Sequence, residues 1–296
     1  MGAARLTLAA ALTLDLAAAT APARAGSAPA PAPDPAGAAA AIAAGDAHYA
    51  LRDEGARGGT ALPFQAEGAL ADYRRALALD PRSLDARRRF MRAVFFRTGF
   101  CGPMEAKDRV RMLDEAKIVA EEAVAALDAE TGRRKARVHV DAARAIASAA
   151  ETYLWAAVSW GQWVVYHRVS GAWQGAPKRI RDLAEAVLSI DPDTTQAGAY
   201  IILGRLHSEA PRVPFLTGWV SREKGIACLR EGLARAPENQ ALVYFLADAL
   251  LRKDPSRPDE ARALLHRCVA STPRSGWLVE DAHYADLARA RLAEIS

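Results

Sequence analysis

The chain has 296 residues, 51% of them hydrophobic and 25% charged, with a formal net charge of +4. That apolar content is ample for a sizeable core, which excludes disorder as the main state. The apolar share is mostly Ala and Leu, strong helix formers like the Arg and Glu around them. No stretch alternates apolar and polar residues between turn pairs, so the composition argues for an all-α protein and against β or α/β folds. Basic residues gather into no tail or stripe. The densest cluster, Arg87, Arg88 and Arg89 with Arg92, lies near Asp80 and Asp85 and reads as a solvated helix face rather than a nucleic-acid footprint.

Residues 1–25 have the pattern of a signal peptide. Arg5 supplies a basic start, Leu6 to Ala19 a short apolar run, and Ala23-Arg24-Ala25 a small-x-small cleavage site. The run is too short for a membrane span and contains Asp15, so removal after export, and a periplasmic location, is expected. Residues 26–37 place Pro at 29, 31, 33 and 35 and predict an extended Pro/Ala-rich spacer. From residue 38 to 296 the chain reads as one helical domain. Its expected helices are 38–52, 66–79, 83–97, 105–128, 134–168, 177–190, 195–209, 221–235, 239–252, 258–271 and 278–293.

Several of these helices carry one spaced signature, seen first at Ala69, Tyr73, Ala76 and Pro81 with steps of four, three and five. It recurs at Ile180, Ala184, Val187, Pro192; at Gly225, Leu229, Gly232, Pro237; and at Ala261, Leu265, Cys268, Pro273. Ala116, Ala120 and Ala123 make a weaker copy with Asp128 in place of the proline. The first three positions share one helix face, where small residues admit a neighbouring helix, and the proline follows the helix end. This pattern resembles the second helix of a tetratricopeptide repeat. Gly45 with His48, and Gly204 with His207, match the small-then-larger spacing of its first helix. The expected fold is an all-α, tetratricopeptide-like α-α superhelix of about five degenerate helix pairs, with a C-terminal capping helix.

Thr152 to Tyr166 is uncharged over fifteen residues. At helical rise it spans about 22 Å, too short to cross a bilayer, and it is apolar all round. Trp155, Trp160 and Trp163 fall within an arc of about 140°; with Trp173 they are four of the six tryptophans. Two readings stay open: the core of an enlarged repeat, or the wall of an apolar ligand cleft or oligomer interface. The loop from Ala210 to Lys224 sets Arg212, Phe215 and Trp219 among two prolines and a glycine. It either decorates a binding face or folds its aromatics back on the repeat.

Enzyme motifs fail. Ser221-x-x-Lys224 has no partner motif, and Ser221 is better placed as an N-cap. Glu280-x-x-His283 occurs once, without the second copy that a di-iron bundle needs. There is no phosphate loop, HExxH or GxSxG, and no metal, cofactor or catalytic residue is expected. Cys228 and Cys268 fall inside predicted helices and read as small buried apolar groups rather than a bridge.

The exported leader, the YLWAAVSWGQWV helix, the LGRLHSEAPRVPFLTGWVSREK block and the terminal GWLVEDAHYADLARARLAEI resemble the T-component family of TRAP transporters. The resemblance implies a non-catalytic periplasmic accessory that contacts a solute-binding protein and holds an apolar ligand. Trp155, Trp160, Trp163, Tyr166 and Trp173 would line or flank the cleft, with Arg212, Phe215 and Trp219 near its mouth or a protein contact. Family members are often lipoproteins, whereas this chain has no lipobox cysteine by the predicted cleavage site. A general cell-envelope scaffold gripping a peptide on its concave face is the alternative.

Overall fold

The computed structural model describes residues 32–131, 140–256 and 258–295. The leader at 1–25 and the first part of the spacer, 26–31, lie outside them. Pro35 opens the first helix, α1 (Pro35–Ala50), because its missing N–H is no loss at the first position and the Asp34 carboxylate accepts from Gly37 N at 2.9 Å. Residues 35–37 are therefore helical, a correction to the spacer expected over 26–37. Next come α2 (Pro63–Leu79), α3 (Leu84–Phe100), capped by Ser83, and α4 (Ala106–Thr131). The single helix expected over 134–168 is broken: α5 (Val140–Arg144) is followed by turns at 145–148 before α6 (Ala149–Tyr166) and the short α7 (Arg168–Trp173). No Gly or Pro marks the first break. Packing holds it instead, since Arg144 donates to Ile190 O at 3.2 Å at the end of α8 (Ala176–Ile190). The remaining helices are α9 (Thr194–Glu209), α10 (Arg222–Arg235), α11 (Gln240–Lys253), α12 (Asp259–Ala270) and α13 (Leu278–Glu294).

The helices pair as α1/α2, α3/α4, α6/α8, α9/α10 and α11/α12, with α13 closing the series. The repeated signature makes the pairs. Ala69, Tyr73 and Ala76 are buried, as are Ala116, Ala120 and Ala123, Ile180, Ala184 and Val187, and Ala261, Leu265 and Cys268. In two of the pairs the first helix supplies a glycine at this contact. A Cβ on Gly45 would sit 2.5 Å from the Tyr73 ring, and one on Gly204 2.4 Å from Leu229. The histidine one turn later crosses to the second helix: His48 Nδ1 lies 2.8 Å from Gln65 Oε1, and His207 Nδ1 accepts from Ser221 N at 3.2 Å. All three cysteines are free, and burial pushes the Cys268 thiol up to about 12. Among the described residues no helix is long and apolar enough to cross a membrane.

The first helices of successive pairs, α3, α6, α9 and α11, lie side by side, and α13 continues the row until it meets α3 again. The superhelix thus closes into a ring. The α1–α2 connection forms the seam. Arg52 donates to Gly276 O, sits 3.4 Å from Glu280 Oε1 and lies 4.5 Å over the Tyr49 ring; Arg52 and Glu280 are both buried. Gly59 approaches so closely that a Cβ would fall 2.3 Å from His283 Cα, and its N–H donates to Asp286 at 3.3 Å. Phe100 packs edge-on against His283 at 5.1 Å.

Arg52→Ala leaves the Glu280 carboxylate buried without its cation and is expected to cost about 3–5 kcal/mol in urea unfolding. Removing the exposed Arg230, which pairs with Glu260 at 2.8 Å, should cost no more than about 1 kcal/mol. Burial, the largest influence, holds the His283 imidazolium below the ordinary value of 6.5. The folded chain then binds fewer protons there than the unfolded chain, so this contribution to stability is present above 6.5 and lost on acidification. Going from about pH 7.5 to about pH 5.5 should therefore destabilise the wild type more than His283→Phe.

Candidate functional site

The aromatic helix α6 is core. Trp155, Trp160 and Trp163 are 4%, 1% and 4% exposed. Trp163 donates its indole N–H to Asp114 of α4 at 2.8 Å and stacks on His167 at 4.5 Å, whose Nε2 lies 3.3 Å from the same carboxylate. Lys117 places its ammonium 4.9 Å over Trp160 and 5.1 Å over Trp163, and Arg179 of α8 lies 5.0 Å over Trp160. Each is a cation–π contact that the long side chain of a neighbouring helix makes on its way to solvent. Trp155 packs on Phe95 at 5.5 Å.

The other candidates lie elsewhere. Tyr166 and Trp173 are exposed at the end of α6 and on α7. In the 210–221 loop, Arg212 and Phe215 face outward. Trp219 folds back on His207 at 5.5 Å and under Arg181 at 4.4 Å. The eight residues do not converge on one cleft. The helix that bears Trp155, Trp160 and Trp163 is surrounded by α3, α4, α8 and α9, and all three are packed.

The inner face of the ring presents a different set, contributed by separate helices. From Trp155 the rings run through Phe95 and Phe100 of α3, at 5.5 and 5.3 Å, to Tyr284 of α13 at 6.4 Å and Phe245 of α11 at 5.5 Å. Arg205 of α9 lies 4.4 Å over Phe245 and pairs with Glu209 at 2.8 Å. Phe95, Phe245 and Tyr284 are only partly buried. Burial is the main cause that pushes the Tyr284 hydroxyl up to about 12. Two helical glycines on α3 and α6 have open space beside them. Gly99 lies four residues after Phe95, and Gly161 one turn after the partly buried Val158; a Cβ on either would meet nothing within 4 Å. Open space therefore lies one turn from Phe95 on α3 and one turn from Val158 on α6. The sequence scatters the aromatic residues over different helices with no shared spacing.

A second concavity, about 390 Å³, lies where α8 gives way to α9 and is lined by Asp193, Gln196, Arg235, Pro237 and Arg274 among others. Thr195, Gln196 and Ala197 hold left-handed φ values of 49°, 54° and 63° there. Its arginines are ion-paired: Arg235 with Asp193 at 3.1 Å and Arg274 with Asp281 at 2.6 Å. The enzyme-like pairs are structural. Ser221 Oγ accepts from Lys224 N at 3.4 Å as the cap of α10, and Glu280 and His283 belong to the seam. Among the described residues no group of three or more His, Cys, Asp or Glu could hold a metal ion.

No family model matches the chain, and no curated protein is similar to it in sequence. Among solved structures, a thermophilic TPR protein from Thermus thermophilus superposes with a TM-score of 0.51 at 16% identity, over 87% of this chain and 98% of that one. The likeness shows the fold, a tetratricopeptide-like helical superhelix.

Trp160→Ala is expected to lower the unfolding free energy by about 3–5 kcal/mol. Trp173→Ala should change it by no more than about 0.5 kcal/mol. Urea titration of the two variants separates core from surface.

Proposed function

We propose that this chain is a non-catalytic periplasmic binding protein, a T-component-like accessory of a TRAP-type uptake system. In this reading it contacts the solute-binding protein and holds an apolar ligand or an apolar segment at the inner face of the ring. The observation that carries the reading is the connected, partly buried set of Phe95, Phe245 and Tyr284 from three helices, with open space one turn from Phe95 at Gly99. Arg205 beside these rings is paired with Glu209, so an apolar guest there would not strip that arginine of its partner. The export leader and the sequence resemblance support the location and the partner class. The packed state of Trp155, Trp160 and Trp163 favours a second reading: a cell-envelope scaffold whose inner face grips a peptide.

Gly161→Phe tests the inner face without removing any contact. Phe has a somewhat better helix propensity than Gly, so the replacement should not unfold the helix, and the new ring projects into the open space. The variant is expected to fold as the wild type does and to lose its guest. The measurement is mass spectrometry of small molecules and proteins recovered with each form from the periplasm. A solute-binding protein and an apolar molecule recovered with the wild type, the latter lost from Gly161→Phe, support the accessory. Recovery of envelope-assembly proteins alone, with no apolar molecule, contradicts it and favours the scaffold.

A further inference from the structure

One edge of the ring carries apolar side chains that packing does not explain. In an array of antiparallel helix pairs, the connections within pairs all fall on the same edge. The connection containing α7 and the next one, residues 210–221, are neighbours there. The short helix α7 packs on α8, and Trp219 at the foot of the loop lies under Arg181 of that same helix. On α7, Val169 and Trp173 are 75% and 88% exposed; in the loop Phe215 is fully exposed, with Leu216 beside it.

The loop is built to hold its tip outward. Thr217 is buried; its Oγ1 donates to Pro211 O and accepts from Val213 N at 2.8 Å. Trp219 Nε1 donates to Leu216 O at 3.0 Å, and Arg212 Nε to Gly218 O at 3.1 Å. Phe215 sits at φ 64°, a left-handed conformation that a residue with a bulky side chain rarely adopts. A strained turn that exposes a phenylalanine gains nothing for the fold.

Charge adds a second, independent observation. No acidic residue lies between Glu151 and Asp182, nor between Glu209 and Glu223. Arg168, Arg212 and Arg222 have no carboxylate partner among the described residues. Their neighbours Arg179, Arg181 and Arg205 are ion-paired.

We propose that this edge docks on the surface of an anionic phospholipid bilayer. The side chains of Trp173 and Phe215 would seat at headgroup level, and Arg168, Arg212 and Arg222 would meet lipid phosphates. Two separate apolar tips on turns, each flanked by unpaired cations, suit a flat, fluid, anionic surface better than a shaped protein partner. The edge is distinct from the inner face, so the inference does not rest on the function proposed above.

The test is flotation of the purified protein with phosphatidylcholine vesicles and with vesicles of phosphatidylethanolamine and phosphatidylglycerol, at low and high salt. The wild type should float with the phosphatidylglycerol vesicles in a salt-sensitive way. A Trp173→Ser, Phe215→Ser double variant should bind them about tenfold more weakly, with an unchanged unfolding midpoint. Replacing Arg168, Arg212 and Arg222 by Gln should remove the salt sensitivity. Any residues 1–25 still present are common to all forms, so they do not account for a difference between them. Equal binding of wild type and double variant, or equal binding to neutral vesicles, would overturn the proposal. So would a lipid-free wild-type dimer that the double variant converts to a monomer, since the edge would then be a self-contact.

Discussion

Two side chains more than two hundred residues apart, Arg52 and Glu280, meet in a buried ion pair 3.4 Å long, and the rest of the molecule is arranged around their contact. An array of helix pairs can stay open, each repeat touching only its neighbours. Here the last helix returns to α3 and the α1–α2 connection, so α3, α6, α9, α11 and α13 bound an inner space instead of an exposed groove. The seam tolerates little else. Gly59 presses its backbone on His283, and burial raises the Glu280 carboxyl above its usual range even beside Arg52. Such a pair need not stabilise more than an apolar contact would. It does make an incorrectly registered closure expensive, because one charge would be buried alone.

Closure divides the surface by role. Aromatic residues facing inward are crowded by helices from both ends of the chain, which is why Tyr284 is buried enough to resist ionisation while its ring remains partly open. The connection containing α7 and the 210–221 loop are left free of that constraint. The exposed Trp173 and Phe215 stand there, far in chemical character from the paired arginines of the helix flanks. Small-residue contacts at Gly45 and Gly204 draw their helix pairs close together.

How much of this was legible in the sequence follows from range. The steps of four, three and five that bury Ala69, Tyr73 and Ala76 lie within one helix, and the glycine–histidine spacing at Gly45 and Gly204 lies within another. Both are local and could be read. The segment 152–166 could be read as buried but not as core or cleft wall, because a helix apolar on all sides has no periodicity to say what it faces; Asp114, Lys117 and Arg179 decide that from other helices. The break at 145–148 has no Gly or Pro to announce it. The seam and the inner lining are non-local, and single residues such as Phe95, Phe245 and Tyr284 leave no pattern along the chain.

Closure of the ring is the claim on which the inner face depends. A spin-label distance between Arg57, on the α1–α2 connection, and Arg289, on α13, measures it most directly, with both positions replaced by Cys in a background lacking Cys101, Cys228 and Cys268. A single short, narrow distance distribution that broadens in Arg52→Ala is the predicted result. A long or broad distribution in the otherwise wild-type chain would mean an open superhelix and would contradict the account.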